Sequence, residues 1–346
     1  MALDEPKFKK VSCSHMTKTF CRVLFLVLAG MMGLGIGPAK KPRPLHVVVV
    51  MEGRNIRFQP QVNGLRDGLE ELKYVEGENL IWQRVDGATG EELRVHLKSL
   101  LQRQRVDVLV PLGTAETNVA KEVAAGIPMV FLPAADPVKS GFVRSLASPG
   151  TNLTGLTFFT GSENLGKQLE VFKRVVPSLD QVGVLFDARL KSSALSESWK
   201  KLAVVGSWLG IHLTELPAMS AAEASSKIAS LPNPAMNAGI FIFCSSLFKD
   251  AEGLAAAATK RRLPLFGCNA FQVAEQNVLL SYAPDLYSLG YRGAWFVDRI
   301  FKGARPQDLP VETPRKFELV INTKVAGEIG LKISPEMLML ADRVFR

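Results

Sequence analysis

From residue 45 onward, the chain alternates short apolar segments with helix-like segments, and this alternation constrains the fold more than any other feature. The segment "LHVVVVM" at 45–51 is a β-branched apolar run, typical of a strand that is buried on both faces. Residues 58–73 follow with apolar side chains at helical spacing, and the same order recurs along the chain. Repeated strand–helix units predict parallel sheets with helices on both faces.

The alternation restarts after Ser162, so the chain contains two runs of similar length. Further strands are predicted at 79–85, 106–111, 127–132, 152–159, 181–187, 211–217, 238–244, 263–268 and 277–283. Further helices are predicted at 90–104, 115–125, 163–176, 192–209, 220–231, 249–261 and 286–303, and 316–331 is predicted as a strand followed by a helix. Two such runs in 346 residues predict two α/β domains, because single cores stop growing at about 250–300 residues.

Residues 1–39 have the pattern of a secretory signal. Basic Lys18 and Arg22 precede the apolar run "VLFLVLAGMMGLGIG" at 23–37, which is shorter than the roughly 20 residues that a spanning helix needs. Small residues then lead to a predicted cleavage before Lys40. An uncleaved membrane anchor is the alternative.

The first residues do not fit a signal segment equally well. Asp4 and Glu5 are unusual there, so Met16 is a second candidate for the start of the protein. A lipid anchor would need a cysteine directly after "LAG", where Met31 stands, so we predict no lipidation.

The chain is basic, with a formal net charge of +9, but its positive charges are dispersed. It has no long run of Lys and Arg and no basic helix interleaved with aromatic residues, so we predict no nucleic-acid partner.

Ligands of open α/β sheets bind outside the carboxyl ends of the strands, so the predicted strand ends are the candidate places for function. Gly113 and Thr114 follow one strand and open a helix. Backbone N–H groups there, with Thr114 as the N-cap, suit an anionic or polar ligand group, and capping alone is the alternative. The stretch lacks the glycine and lysine pattern of a phosphate-binding loop.

Two acidic residues occupy other strand ends. Asp136-Pro137 turns the chain after the strand at 127–132, where a carboxylate can accept from a ligand ammonium or hydroxyl group. A purely structural turn is the alternative. Glu52 follows the first strand and is also a candidate ligand-binding residue.

No catalytic group stands at these places. His46 and His212 lie at the starts of predicted strands and His96 lies in mid-helix, so no histidine base is offered at a strand end. Capping and turn roles account for the strand-end carboxylates Asp86, Asp136, Asp187 and Asp285. We predict no enzyme activity, no metal site and no cofactor.

Two cysteines, Cys244 and Cys268, remain after removal of the signal, and each ends a predicted parallel strand. If the two strands are neighbours, the residues lie close enough for a disulfide. Two buried free thiols are the alternative.

Three stretches resemble the ABC-transporter substrate-binding protein family that includes tryptophan- and tyrosine-linked binding proteins. They are "GLRDGLEELKYVEGENL" at 64–80, "VDVLVPLGTAETNVAKEVAAGIPMVFLPAADPVKSGFVRSLASPGTNLTGLT" at 106–157 and "KFELVINTKVAGEIGLKISPEML" at 316–338. The resemblance covers about 45–346 and implies a type I periplasmic-binding-protein fold, with two α/β lobes joined by a hinge. With the strand pattern, it predicts a first lobe of 45–157 plus about 284–312, and a second of 158–283 plus about 313–346.

The resemblance also implies a ligand site. The cleft loops of the family fall on Gly113, Thr114 and Ala115, on Asp136 and Pro137, and on the loop after Phe243. Relatives commonly carry an acidic residue in that last loop, but this chain has Cys244, Ser245 and Ser246. The "NAFQVAEQN" loop after 268 also departs from the family, and Asn269 with the two serines offers neutral hydrogen bonds in place of one acidic partner of a ligand amine.

The expected function is that of a periplasmic carrier. It binds a small polar metabolite, an amino acid or a related compound, between closing lobes and presents it to an ABC permease in the inner membrane. A ligand-sensing domain for a membrane receptor and a secreted α/β enzyme are the alternatives. A DNA-binding repressor is excluded because the N-terminus resembles a signal and not a helix-turn-helix.

Overall fold

The computed structural model of the protein describes residues 43–53, 56–158, 163–189, 193–231 and 237–346. The predicted signal at 1–39 lies outside these residues. None of the described helices combines the length and the hydropathy that spanning a bilayer requires.

The first sheet has five strands, all paired in parallel, in the order β2-β1-β3-β4-β5. The strands are β1 (Leu45–Glu52), β2 (Leu80–Gly87), β3 (Val108–Pro111), β4 (Met129–Ala134) and β5 (Leu153–Thr157). Successive side chains of β1 enter opposite faces of the sheet: Val47 and Val49 belong to one apolar cluster, and Val48 and Val50 to another. The sheet is therefore covered on both faces, which is why β1 is apolar throughout.

Three helices connect these strands: α1 (Gln59–Glu71), α2 (Gly90–Arg103) and α3 (Thr114–Val123). The start of α2 shows how the sequence sets a boundary. The Thr89 hydroxyl accepts from the backbone N–H of Glu92 at 3.2 Å, and the Glu92 carboxylate accepts from the N–H of Ala88 at 2.8 Å. Two backbone donors that a helix start leaves unpaired are thereby satisfied.

The second sheet has seven strands in the order β12-β11-β10-β9-β8-β6-β7. They are β6 (Gln181–Asp187), β7 (His212–Ala218), β8 (Ala238–Ile242), β9 (Leu265–Gly267), β10 (Leu280–Pro284), β11 (Phe317–Asn322) and β12 (Arg343–Phe345). The helices of this part are α4 (Glu163–Val175), α5 (Ser193–Trp208), α6 (Ala221–Ser230), α7 (Glu252–Lys260) and α8 (Ala270–Glu275), followed by α9 (Leu286–Phe301), α10 (Thr323–Glu328) and α11 (Pro335–Leu340). The predicted mixed α/β class with two lobes is confirmed.

One pair departs from the predicted parallel pairing, because β10 and β11 are antiparallel. The chain leaves the second sheet at Pro284, runs through α9, and returns at Phe317, which pairs with Pro284. Because β11 begins beside the end of β10, it must run along β10 in the opposite direction. Helix α8, helix α11 and strand β12 were not predicted, because elements of three to six residues show little periodicity.

Helix α9 packs on α1 beside the first sheet, although it follows a strand of the second. The two helix backbones approach closely at glycines: a Cβ atom on Gly64 would collide with the carbonyl oxygen of Tyr287, and one on Gly290 with that of Gln61. Glycine at these two positions therefore permits the close crossing that attaches α9 to the first lobe.

We expect Gly290→Ala to lower the free energy of unfolding by about 1–3 kcal/mol, because the added methyl group forces the two helices apart. Urea unfolding followed by circular dichroism measures the change. Gly327→Ala is the matched control, since no atom lies within 4 Å of its Cβ position. Equal effects of the two substitutions would contradict the proposed close contact.

Candidate functional site

Each sheet reverses its strand order at one point. In the first sheet β1 lies between β2 and β3, and in the second β6 lies between β7 and β8. The connections at such a point leave in opposite directions, so a crevice opens outside the carboxyl ends of the two strands. The crevices lie between β1 and β3 and between β6 and β8.

The first wall is defined as Glu52–Gly53 at the end of β1, Gly113–Glu116 at the start of α3, and the loop Ala135–Pro137 that follows β4. The backbone N–H of Leu112 donates to the carbonyl oxygen of Val50 at 2.9 Å, which carries the pairing of β1 and β3 to the mouth of the crevice. The predicted residues Glu52, Gly113, Thr114, Ala115, Asp136 and Pro137 all lie in this wall.

Thr114 has a different local role from the predicted one. Gly113, with φ of 115°, precedes α3 as its N-cap, and Thr114 is the first residue of the helix. The Thr114 hydroxyl accepts from the backbone N–H of Ala135 at 2.9 Å. The prediction that Thr114 caps the helix is therefore wrong. Its hydroxyl joins the loops after β3 and β4, and its hydroxyl hydrogen can still donate to a ligand.

Asp136 forms a turn, which the sequence analysis gave as the alternative to a ligand-binding role. Its Oδ1 accepts from the backbone N–H of Lys139 at 3.0 Å, and the buried Pro137 accepts from the N–H of Phe142 at 2.8 Å. The Asp136 side chain is partly exposed, so the second carboxylate oxygen is open to further hydrogen bonds.

Glu116 is a residue of the first wall that the sequence analysis missed. Its side chain is buried beside Gly113, and its Oε1 accepts from the backbone N–H of Glu52 at 3.3 Å. Burial raises the pKa of Glu116 to about 7. The carboxyl group therefore covers the N-terminus of α3, where an anionic ligand group was expected. An acidic residue in the first turn of a helix after a strand was the available signal.

The second wall is defined as Ala188–Arg189, Phe243–Lys249 and Cys268–Asn269, which follow β6, β8 and β9. At its centre the Asp187 carboxylate accepts two hydrogen bonds from Arg189, from Nε at 2.8 Å and from Nη2 at 2.6 Å. These bonds and the Ser245 hydroxyl hold the pKa of Asp187 below its usual value. Asp187 and Arg189 were not predicted as ligand-binding residues, although the loop that contains them was.

The predicted residues of this wall differ in what they offer. The Ser245 hydroxyl accepts from the backbone N–H of Leu247 at 3.2 Å and helps to lower the pKa of Asp187. Ser246 begins a short 3-10 helix at Ser246–Phe248. The Asn269 side-chain oxygen caps α8 by accepting from Gln272 at 3.1 Å, which leaves its amide nitrogen to donate to a ligand.

A disulfide joins Cys244 and Cys268, whose Cα atoms are 5.5 Å apart. Both residues lie just beyond strands, since β8 ends at Ile242 and β9 at Gly267, and Cys244 is exposed. The alternative of two buried thiols therefore does not describe the structure. Because β8 and β9 are neighbours, the bond ties together two loops of the second wall.

Two side-chain hydrogen bonds brace the same loops. Gln272 Nε2 donates to the carbonyl oxygen of Phe248 at 2.7 Å, and Gln276 Oε1 accepts from the backbone N–H of Ala251 at 2.9 Å. The segment after β8 is thus attached to α8 and to the residues that flank it, by the disulfide and by two hydrogen bonds.

The two walls approach each other at one ion pair. Lys249 Nζ of the second wall lies 3.7 Å from Glu52 Oε2 of the first. Glu52 therefore pairs with a residue of the second wall, while its ligand-binding role stays a prediction, and Lys249 is a residue that the sequence analysis did not single out.

His46 and His96 each contact structural groups of the first sheet or its connections. His46 is buried, with Nδ1 3.0 Å from the carbonyl oxygen of Arg105 and Nε2 3.2 Å from Gln83 Oε1. His96 Nδ1 lies 2.6 Å from the carbonyl oxygen of Asp86. Asp285 caps α9 through the N–H groups of Tyr287 and Ser288. Among the described residues, no three His, Cys, Asp or Glu form a group that could hold a metal ion.

This architecture has a match in a known family. The profile described as "ABC transporter substrate binding protein" matches residues 45–345, which include both sheets and both walls. The chain belongs to this family. It is thus a substrate-binding protein of the ABC transporter type and not an enzyme, as the resemblance implied.

Several known proteins are similar to this chain. A tyrosine-binding protein of Clostridioides difficile is 20% identical over 321 residues, which cover 87% of this chain and 90% of that protein. A conserved domain protein of Vibrio cholerae has a solved structure with a TM-score of 0.70 and 25% identity, covering 88% of this chain and 100% of that one. An ABC domain of Streptococcus pneumoniae, solved with L-Trp, has a TM-score of 0.71 and 19% identity, covering 87% and 100%.

Proposed function

We propose that the chain is the periplasmic substrate-binding component of an ABC importer. It binds a small polar metabolite, an amino acid or a related compound, between the first and second walls. Closing of the lobes about a hinge buries the ligand, and the closed protein presents it to an ABC permease in the inner membrane.

The observation that carries this proposal is the pairing of the two walls. Each wall lies at the strand-order reversal of its own sheet, and Lys249 and Glu52 bring them to 3.7 Å at one ion pair. The walls present hydroxyl, amide, carboxylate and guanidinium groups, which suit the many hydrogen bonds that a buried polar ligand requires. The names of the tyrosine-binding relative and of the structure with L-Trp support an amino-acid ligand.

The hinge is proposed where the chain passes between the lobes, with 45–157 and about 284–312 in the first lobe and 158–283 and about 313–346 in the second. Two crossings lie side by side: the N–H of Asp285 donates to the carbonyl oxygen of Lys316 at 3.0 Å, and Lys316 Nζ lies 2.8 Å from Asp285 Oδ2. Short paired segments of this kind can bend together, as hinge closure requires.

The proposed periplasmic location of the protein is supported by the signal-like segment 1–39 and by the family. A disulfide in a wall loop agrees with an oxidising compartment. The permease is the partner that the family implies.

A thermal-shift screen of amino acids, amines and sugars with the secreted protein tests the function. A ligand at 100 times its Kd stabilises the folded state by about 2.7 kcal/mol, which is a readily measured rise in Tm. Small-angle X-ray scattering then measures closure as a smaller radius of gyration in the presence of the ligand. Failure of every compound to bind, or turnover of a bound compound, would contradict the proposal.

We expect Thr114→Ala and Asp136→Ala each to weaken binding of the identified ligand by about 2- to 10-fold, the usual effect of one hydrogen bond. The fold should persist, because both side chains are partly exposed and lie in loops or at a helix start. Calorimetry measures the affinities. Asp308→Ala is the control, since Asp308 pairs with Arg305 away from both walls. Unchanged affinity in both wall variants would refute this site.

A further inference from the structure

Arg189 is held in a fixed orientation within the second wall. The Asp187 side chain is only 1% exposed, and both of its oxygens accept from Arg189, at 2.8 Å from Nε and 2.6 Å from Nη2. This two-point contact uses one edge of the planar guanidinium group. The Arg189 side chain is 49% exposed, so its remaining N–H donors stay accessible.

The position of this pair is that of a ligand contact. β6 ends at Asp187, and β7 and β8 lie on its two sides, so Arg189 stands at the mouth of the crevice. Ser245, from the loop across that crevice, lies near enough to the same Asp187 carboxylate to help lower its pKa. The buried Asp187 carboxylate therefore anchors the Arg189 guanidinium group within the second wall.

The charges of the two walls are opposite in sign. The first wall contains the carboxylates of Glu52 and Asp136 and the buried carboxyl group of Glu116, whose pKa of about 7 keeps it partly protonated near neutral pH and on which the Arg57 cation acts. The second wall offers the cations of Arg189, paired with the buried Asp187, and of Lys249, paired with Glu52, and its one anion is covered by Arg189. A ligand carboxylate is repelled from the first wall and attracted to the second, and of the two cations only Arg189 is fixed by a two-point contact.

We propose that Arg189 is the carboxylate-binding residue of the cleft and that Asp187 is its positioning residue. The ligand then carries a carboxylate that faces the second wall, and any ammonium group of the ligand faces the acidic first wall. This inference rests on the proposed function, because it assigns the orientation of a ligand in the same cleft. The sequence analysis placed an anionic or polar ligand group at the Gly113 loop of the first wall, whereas this proposal places the ligand carboxylate at the second wall.

The test compares amino acids with amines that lack only the carboxylate. Calorimetry with the full chain measures the affinities of L-tyrosine, L-tryptophan and any other amino acid found in the screen, beside tyramine, tryptamine and the corresponding amines. We expect the wild type to bind the amino acid about 10- to 100-fold more tightly than its amine, the range expected for hydrogen bonds to charged groups. In Arg189→Gln this difference should disappear, while the affinity for the amine stays unchanged.

Three further variants separate ligand contact from folding. Arg189→Lys keeps the charge without the two-point contact and should lose part of the difference. Asp187→Asn keeps Arg189 but weakens its fixation, so amino-acid binding should fall less than in Arg189→Gln, and amine binding should not change. Arg305→Gln is the matched control, because Arg305 also pairs with one nearby aspartate, at 2.7 Å, but lies outside both walls. Thermal unfolding shows that each variant is folded.

Each outcome bears on one of the two proposals. If Arg189→Gln binds the amino acid as tightly as the wild type, Arg189 is not the carboxylate site, and the proposed function stands. If the wild type binds amines or sugars but no carboxylate, the inference is overturned in the same way. If the wild type binds no compound of the screen, the proposed function fails and the inference fails with it.

Discussion

Reduction of the Cys244–Cys268 disulfide is expected to lower the free energy of unfolding by about 3 kcal/mol. The two residues are separated by 24 positions, and cross-linking a loop of this length removes that much conformational entropy from the unfolded chain. The two glutamine hydrogen bonds that brace the same loops remain after reduction. The reduced protein should therefore stay folded at 25 °C and unfold at lower denaturant concentration.

Guanidinium unfolding with and without reductant measures this change. A double variant, Cys244→Ser with Cys268→Ser, should match the reduced wild type and should not respond to reductant. The intact mass after alkylation tests the disulfide independently, since the thiols of Cys244 and Cys268 react with the alkylating reagent only after reduction. Equal unfolding curves and no mass change would show that the two sulfur atoms are not bonded.

Glu116→Gln is expected to stabilise the folded protein at alkaline pH and to have little effect near pH 5. The folded-state pKa is about 7, above the ordinary value of 4.5, because burial disfavours the charged carboxylate. The wild type therefore binds more protons at Glu116 when folded than when unfolded between these values. Its stability should fall as the pH rises through this range, by up to about 3 kcal/mol.

Arg57 and Glu52 are the charged groups that act on Glu116: Arg57 lowers its pKa and Glu52 raises it. Denaturant unfolding of the wild type and of Glu116→Gln from pH 5 to pH 9 measures the difference, which should grow with pH. Glu122→Gln on the same helix is the control, whose difference from the wild type should stay constant from pH 5 to pH 9 because the pKa of Glu122 lies below this range. Hydrogen bonding to Arg94 lowers the pKa of Glu122, so this residue contributes stability that is lost as the pH falls. If the difference in the free energy of unfolding between the wild type and Glu116→Gln stayed constant with pH, the burial of Glu116 would be contradicted.

The sequence predicted most strands and helices because their patterns are local. The strand at 181–187 begins and ends where expected, and the helix predicted at 163–176 ends one residue earlier. Boundaries shifted where loops begin: the helix predicted from 249 starts at Glu252, and the strand predicted at 127–132 runs to Ala134. These shifts are small because strand and helix periods differ clearly over such lengths.

The site was predicted only at the level of loops. Strand ends identified the loops containing Thr114, Asp136 and Ser245, and the structure gathers them into two walls. Their binding roles stay predictions. The partners of these residues were not predictable, because the bond from Ala135 to Thr114 spans 21 positions and depends on the neighbouring placement of β3 and β4.

By itself, the sequence determined that this protein is a two-lobed α/β molecule of a substrate-binding family, because residue periodicity and family motifs are properties of neighbouring residues. Only the tertiary structure decided the strand order, and with it the two crevices. It also decided that Glu116 lies beneath Gly113 and that Arg189 is fixed on Asp187 beside Ser245. Charge in a cleft is the sum of side chains from distant segments. The acidic first wall and the basic second wall therefore appear only when those segments are brought together.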